Sequence, residues 1–284
     1  MFRWPSDRGL LRLVRGCAAL SGAVVGLIVV FLLVGAWPAL RAVGLLRFLT
    51  DPAWYPTVGQ FNLVAMLAGT LAVTLGAVVL ATPLGVLSAL FCEFYAPRPL
   101  ARWYRLVIEL LAGIPSVVYG FWGLIVLVPL IRRLHPPGPS LLAGILIVAI
   151  MVLPTIALVA QAGIASLPSS YIQGAAALGL SRWTTIRRVV LPAARSGLAA
   201  GVMLEIGRAI GETMAVLMVC GNIARLPSSL FSPVRTLTAT IALEMAYAMD
   251  VHRSALCVNG LGLMVMVAAI VGATEALTRR RVSR

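Results

Sequence analysis

Six long apolar runs, at residues 16–36, 61–91, 106–131, 141–163, 196–220 and 255–277, leave this chain few ways to fold. A bilayer's hydrocarbon core is crossed by about 20 apolar residues in helical form, and each run reaches that length. The expected fold class is an all-α integral membrane protein with six transmembrane helices. Composition agrees: 61% of residues are hydrophobic and 11% charged, with a mean hydropathy of +1.00. That balance excludes a water-soluble enzyme and a disordered chain. The 26 Gly and 17 Pro are compatible with membrane helices, where neighbouring helices and polar side chains satisfy freed backbone groups.

The second and third runs exceed the bilayer's need, so they are expected to tilt, kink or protrude. The first follows Arg3, Arg8, Arg12 and Arg15. It is longer than a signal-peptide core and ends in Trp37-Pro38 without a small-residue cleavage site, so it reads as a retained span. Cytoplasmic segments are enriched in basic residues. One alternating set, residues 1–15, the second and fourth loops and the C-terminus, carries fifteen Arg, and the other set carries seven. Both termini are therefore expected in the cytoplasm. Residues 37–60, 164–195 and 221–254 are the longest connections, too short for a soluble domain, so 1–284 reads as a single membrane domain.

All 23 basic residues are Arg. Without Lys there is no Gly-rich loop ending in Gly-Lys-Ser/Thr for nucleotide phosphates and no Schiff-base chemistry. Any ATP hydrolysis must belong to a partner. The Arg residues sit in short clusters between apolar runs, which fits membrane topology better than nucleic acid. Cys17, Cys92, Cys220 and Cys257 form no CxxC pair, and His135 and His252 are the only histidines, so neither a disulfide framework nor a metal site is expected. The spans hold no Asp pair or Ser/His pair, which argues against an intramembrane protease.

The connection 164–195 is not an ordinary linker. Ser169 or Ser170 can cap a short Ala-rich helix, Gly179 can end it in the left-handed region, and Ser181 can cap a second helix that Pro192 limits. Leu178, Trp183 and Ile186 could anchor a partner, with Arg residues at the rim. The bland alternative is an amphipathic surface helix lying on lipid headgroups. The spacing resembles the cytoplasmic coupling loop of ABC-importer permeases: Glu-Ala-Ala, three residues, Gly, nine residues, Ile, one residue, Leu-Pro. Here it reads Gln173-Gly174-Ala175, then Gly179, then Val189-x-Leu191-Pro192. Gln173 replaces Glu and Gly174 replaces Ala, so no acidic contact to the ATPase is carried over.

In the fifth run, Gly197, Gly201, Glu205, Arg208 and Glu212 fall within a helical sector of about 80°. Gly197/Gly201 and Gly207/Gly211 are small-xxx-small pairs that permit close helix approach. Arg208 can pair with Glu205 or Glu212. A charge at mid-bilayer costs about 2.5–3.5 kcal/mol on insertion scales, so three together imply mutual pairing or a wet pathway. A guanidinium matches oxyanions bidentately and stays charged when partly dehydrated. Arg208 is thus suited to receive an anion, with Glu205 and Glu212 holding it while the path is empty. The competing reading is a buried ion pair that fixes helix register.

Three further stretches are similar to phosphate-specific ABC permeases: Gly113–Gly120 with Pro115 and Ser116, Arg208–Val216, and Thr236–Ala246. Met214-Ala215-Val216 and Gly221-Asn222 look like the PstC type. The resemblance implies type I ABC-importer architecture and a second permease subunit of the PstA type. It also implies two ATPase subunits using ATP and Mg, a periplasmic phosphate-binding protein, and residence in the bacterial inner membrane. No cofactor, metal or catalytic residue is implied for this chain, and no nucleic acid. Ser116 beside Pro115 either lines the path or marks a packing kink, and 236–244 is expected as a half-buried helix toward the binding protein. Two alternatives stay open: a permease for another oxyanion such as sulfate or molybdate, and an ATP-independent anion channel or carrier.

Overall fold

The computed structural model describes residues 7–282, with side chains over 9–273. Arg3 and Arg284, and the side chains of Arg8, Arg279, Arg280 and Arg281, lie outside the described residues. The long helices are α1 (Asp7–Ala42), α3 (Val64–Leu90), α7 (Leu141–Ala165), α10 (Leu191–Gly211) and α13 (Asp250–Val282). Between α1 and α3 lie a short α2 (Arg47–Thr50) and a two-stranded antiparallel hairpin, β1 (Trp54–Tyr55) with β2 (Gln60–Phe61). After α3 come α4 (Arg98–Ala112), α5 (Ser116–Trp122) and α6 (Val128–Leu134). Two short helices, α8 (Ser169–Ala177) and α9 (Arg182–Thr185), precede α10, and α11 (Met214–Val219) and α12 (Leu237–Glu244) follow it. Among the described residues, six helical stretches are long and apolar enough to cross a membrane.

The boundaries depart from the apolar runs where backbone chemistry intervenes. The third run does not form one helix from 106 to 131: the chain breaks at Gly113–Pro115, and the span proper is Ser116–Leu134. Pro115 lacks an N–H and bars its predecessor from helical geometry, so α4 must end before it. The helix of the fifth run begins earlier than 196 and stops at Gly211, so α11 is a separate short helix rather than the end of a span reaching 220. Helices also extend the first run to 7–42 and start the sixth at Asp250.

The centre of the fold is α7, flanked by α3, α10 and α4, with α5 and α11 packed together beside it. The first helix, α1, packs on α13 and otherwise presents Leu, Val and Ile outward. Lipid tails are as apolar as these side chains, so helix association rests on close packing rather than on removal from water. At the end predicted to face outward, Glu244 is buried and gathers three elements. Its Oε2 accepts from Trp54 Nε1 at 2.9 Å and contacts His252 Nε2 at 2.8 Å, and its Oε1 pairs with Arg235 Nη1 at 2.6 Å.

The hairpin is closed by a smaller clasp outside the spans. Asp51 accepts the Phe61 N–H at 2.9 Å and pairs with Arg47 at 3.2 Å, while Arg47 donates to the Gly59 carbonyl at 2.7 Å. The Phe61 N–H and the Arg47 guanidinium together hold the Asp51 carboxyl below its ordinary value of 3.8. Because the folded value is the lower one, the clasp's stabilisation is complete above that ordinary value and fades as pH falls through the folded one. Amide exchange at Gly59 and Phe61 is therefore expected to be constant between about pH 5 and 8, after correction for intrinsic rates, and to lose protection below about pH 4. An Asp51→Asn chain should show that loss of protection at neutral pH.

Candidate functional site

The geometry around Arg208 follows from how tightly α10 lies on α7. A Cβ on Gly197 would sit 3.7 Å from the Gly163 Cα, an ordinary contact, whereas a Cβ on Gly201 would collide with Val159 Cγ1. That approach carries Glu205, one turn on, into the protein, where it is 1% exposed. Arg208, a further turn along, emerges at the edge with its side chain 39% exposed. Gly201→Leu must displace Val159 or separate the two helices, at about 1–3 kcal/mol. It should denature at lower temperature than the parent in a detergent melt, whereas Gly197→Ala should not. Gly207 and Gly211, by contrast, have nothing within 4 Å and support no close approach among the described residues.

The guanidinium is held by two groups. Arg208 Nη1 donates to Thr155 Oγ1 at 3.1 Å, and Glu205 Oε2 lies 4.0 Å from the same nitrogen. The second distance is beyond hydrogen bonding, so Glu205 supplies charge without occupying a donor. Its Oε2 has no hydrogen-bond partner. Among the described residues, most of the Arg208 fork therefore stays available for another acceptor. The Tyr119 hydroxyl of α5 donates to the Leu111 carbonyl at 2.8 Å and ties α5 to the end of α4.

Glu212 does not pair with Arg208. The helix ends at Gly211, and Glu212 takes an extended conformation with ψ 127°, so the i,i+4 geometry is lost. Its carboxylate accepts the Ala215 N–H at 3.2 Å instead, and its carbonyl accepts the Thr238 hydroxyl at 2.8 Å. Glu212 thus anchors the break between α10 and α11. Beyond the break, α11 lies against α5 where a Cβ on Gly120 would sit 2.8 Å from the Ala215 Cα. Ser116 is half-buried at the first residue of α5, one turn before Gly120. The stretch 236–244 is half-buried as expected: Thr236 caps α12, and Leu237 to Thr240 and Glu244 are buried while Ala242 is exposed.

At the opposite end, the two short helices form a projecting corner. Gly179 has φ 67° and closes α8, and the Ser181 hydroxyl accepts the Thr184 N–H at 3.3 Å at the start of α9. Three details differ from expectation. Pro168, not Ser169 or Ser170, occupies the cap position of α8. Pro192 does not limit the second helix, because a π-helical turn at Ile186–Val190 carries the chain into α10. Pro192 there falls in the first turn of α10, where a missing N–H is tolerated. Gln173 and Gly174 are exposed, Ala175 is buried, and Val189 and Leu191 are half-buried. Ile186 is buried with Val190 against α3 and α7, so it is no external anchor. Leu178 and Trp183 are exposed, Leu178 by 79%. Among the described residues, no group of His, Cys, Asp and Glu is arranged to hold a metal ion.

The family described as "Binding-protein-dependent transport system inner membrane component" matches residues 81–281. A relative from Mesorhizobium japonicum named "Phosphate transport system permease protein PstC" is 38% identical, covering 94% of this chain and 88% of its own. One from Haemophilus influenzae with the same name is 35% identical over 86% and 84% of the two chains. Bacillus subtilis YqgH, named a probable ABC transporter permease protein, is 40% identical over 95% and 90%. Among solved structures, a chain of a bacterial ABC transporter involved in alginate import superposes with a TM-score of 0.64 at 15% identity, over 95% of this chain and 98% of that one. A chain of the inward-facing MetNI methionine ABC transporter gives 0.60 at 20% identity, over 77% and 93%. The structural likenesses bear on fold alone; with the sequence matches over most of the chain, they place this protein in the family of binding-protein-dependent transport system inner membrane components.

Proposed function

We infer that this chain is one permease subunit of an ATP-driven importer of inorganic phosphate and forms half of its translocation pathway. The observation that carries the reading is likeness along nearly the whole chain to relatives named as phosphate transport system permeases. The geometry supports it. Arg208 keeps most of its fork free at the edge of the bundle, and a tetrahedral oxyanion presents the paired oxygens that such a fork binds. Glu205 keeps the empty site near neutrality and weakens retention of the anion, so that cargo passes rather than stays. Glu212 fixes where the α10 backbone ends and so where Arg208 points. Ser116, half-buried at the start of α5, serves in this reading as a further polar lining residue.

The remaining parts follow from this role. Gln173, Gly174, Ala175 and Gly179 present the corner that an ATPase subunit grips. Val189, Leu191 and Pro192 join that corner rigidly to α10 and hence to Arg208. A second permease subunit of the PstA type completes the path, a pair of ATPase subunits uses ATP and Mg, and a periplasmic phosphate-binding protein delivers the anion. This chain binds no cofactor, and both its termini and the corner lie on the cytoplasmic side of the bacterial inner membrane. Uptake of labelled phosphate in cells lacking the chain tests the reading. Restoration by the chain only when the ATPase subunit is present, with excess sulfate or molybdate failing to compete, is the expected result. Restoration without the ATPase would favour a channel, and competition by sulfate would favour another oxyanion.

A further inference from the structure

One polar surface of the molecule is not absorbed by this reading. Arg98, Arg102, Arg105 and Glu109 recur along α4 at steps of four, three and four, which places them within a sector of about 60°. All four are exposed, and Arg105 Nε pairs with Glu109 Oε1 at 3.0 Å with side chains 57% and 47% exposed. The other faces of α4 are committed. Tyr104 bonds Ser88 of α3 at 3.0 Å and Ile108 is buried, which fixes the side against the bundle. Trp103, Leu106 and Leu110 are exposed and apolar, as a lipid-facing side should be.

The depth of the stripe follows from the packing. This helix lies along α7, and Tyr119 of α5 pins its end at Leu111. Gly120, next to that Tyr119, packs on Ala215 beside the Glu212 break that ends α10, so the top of α4 lies toward the end of α10 that carries Arg208. Seven residues from Ala112 back to Arg105 descend about 10 Å, and Arg98 lies about 10 Å further, toward the end that carries the α8–α9 corner. Four charged side chains on one exposed helix face need water or polar groups around them, so this side of α4 does not face hydrocarbon.

We propose that the α4 stripe lines the inner half of the anion pathway and receives the oxyanion after it leaves Arg208; this rests on the function proposed above. The charge order suits descent. Glu109, nearest the site, repels an anion that lingers and is balanced by Arg105, and the next two positions are Arg alone. Neighbours on one helix face have Cβ atoms about 5–6 Å apart, within the reach of long Arg side chains, so an oxyanion can engage the next guanidinium before releasing the last.

The test uses the complete complex in inverted membrane vesicles, with the four native cysteines replaced. Arg102→Cys, Arg105→Cys and Leu110→Cys are each treated from the cytoplasmic side with a membrane-impermeant anionic thiol reagent. Labelling of the first two but not the third, slowed by added phosphate, is expected. In proteoliposomes, the Arg102→Gln/Arg105→Gln double variant should lower the maximal uptake rate about 10-fold, the order for losing contacts to a charged group. Its half-saturating phosphate and its ATP hydrolysis should be unchanged, and the Arg102→Lys/Arg105→Lys pair should regain most of the rate. Absence of labelling would mean that the companion subunit or lipid covers the stripe, and an unchanged rate in the Gln pair would mean the stripe is no path; either overturns the proposal. If the parent complex itself moves no phosphate, the functional reading fails instead.

Discussion

Arg208→Gln should reduce phosphate uptake by roughly 10- to 150-fold, the range given by losing about 1.5–3 kcal/mol of interaction with a charged group. The amount of membrane-inserted protein should stay the same. The two halves of this outcome have separate causes. Transport falls because Gln offers a neutral amide where the anion needs a charged, forked donor. Insertion is spared because a neutral amide costs less than a guanidinium at that depth, and among the described residues the substitution gives up a single side-chain hydrogen bond, to Thr155. Glu205 then loses the positive charge 4.0 Å away, and as a buried carboxyl it can take up a proton instead of remaining ionised. Were Arg208 only a structural partner of Glu205, the same substitution would lower protein abundance in proportion to uptake. Quantitative immunoblotting of membranes beside the uptake assay separates the two.

The second large effect lies at the other end of α10. Gly174 is exposed and a Cβ there would meet nothing within 4 Å, so the chain can accept a large residue without strain. A docking ATPase cannot. Gly174→Arg should leave expression and thermal stability of the isolated chain within about 0.5 kcal/mol of the parent, as for most surface changes. It should abolish co-purification of the ATPase subunit and, with it, uptake. Ala175 is a poorer site for this test because it is already buried, and a change there would confound docking with folding. Retention of the ATPase by Gly174→Arg would place the docking surface elsewhere, with the exposed Leu178 and Trp183 the next residues to change.

Local rules were enough for the parts of the molecule set by local chemistry. Gly179 takes the left-handed turn and Ser181 caps α9 because both properties belong to the residue and its immediate neighbours. The Gly197, Gly201, Glu205 and Arg208 face is likewise a consequence of helical periodicity and needs no distant partner. The break at Glu212 is different. It depends on the Thr238 hydroxyl, 26 residues away, taking the carbonyl that a continued helix would have used. The Glu244 cluster is less legible still, since Trp54 reaches it from 190 residues away. Thr155 sits one residue past Pro154 in an apolar helix, and nothing in its sequence surroundings marks it as the Arg208 partner. The division of α4 from α5 was signalled by Pro115, but the apolar run continues across that residue and length alone reads it as one span. The amphipathic pattern of Arg98, Arg102, Arg105 and Glu109 is the signal that separates the two.

The claim on which the rest depends is that phosphate crosses the membrane past Arg208 at the expense of ATP. Its most direct test is phosphate accumulation by proteoliposomes holding the complete complex, with loaded binding protein on the outer side and Mg-ATP supplied to the ATPase side. Internal phosphate is expected to rise above the external concentration with ATP, to stay at background without it, and to stay near background with ATP in the Arg208→Gln complex. Equilibration without ATP, or full accumulation by the Arg208→Gln complex, would contradict the account.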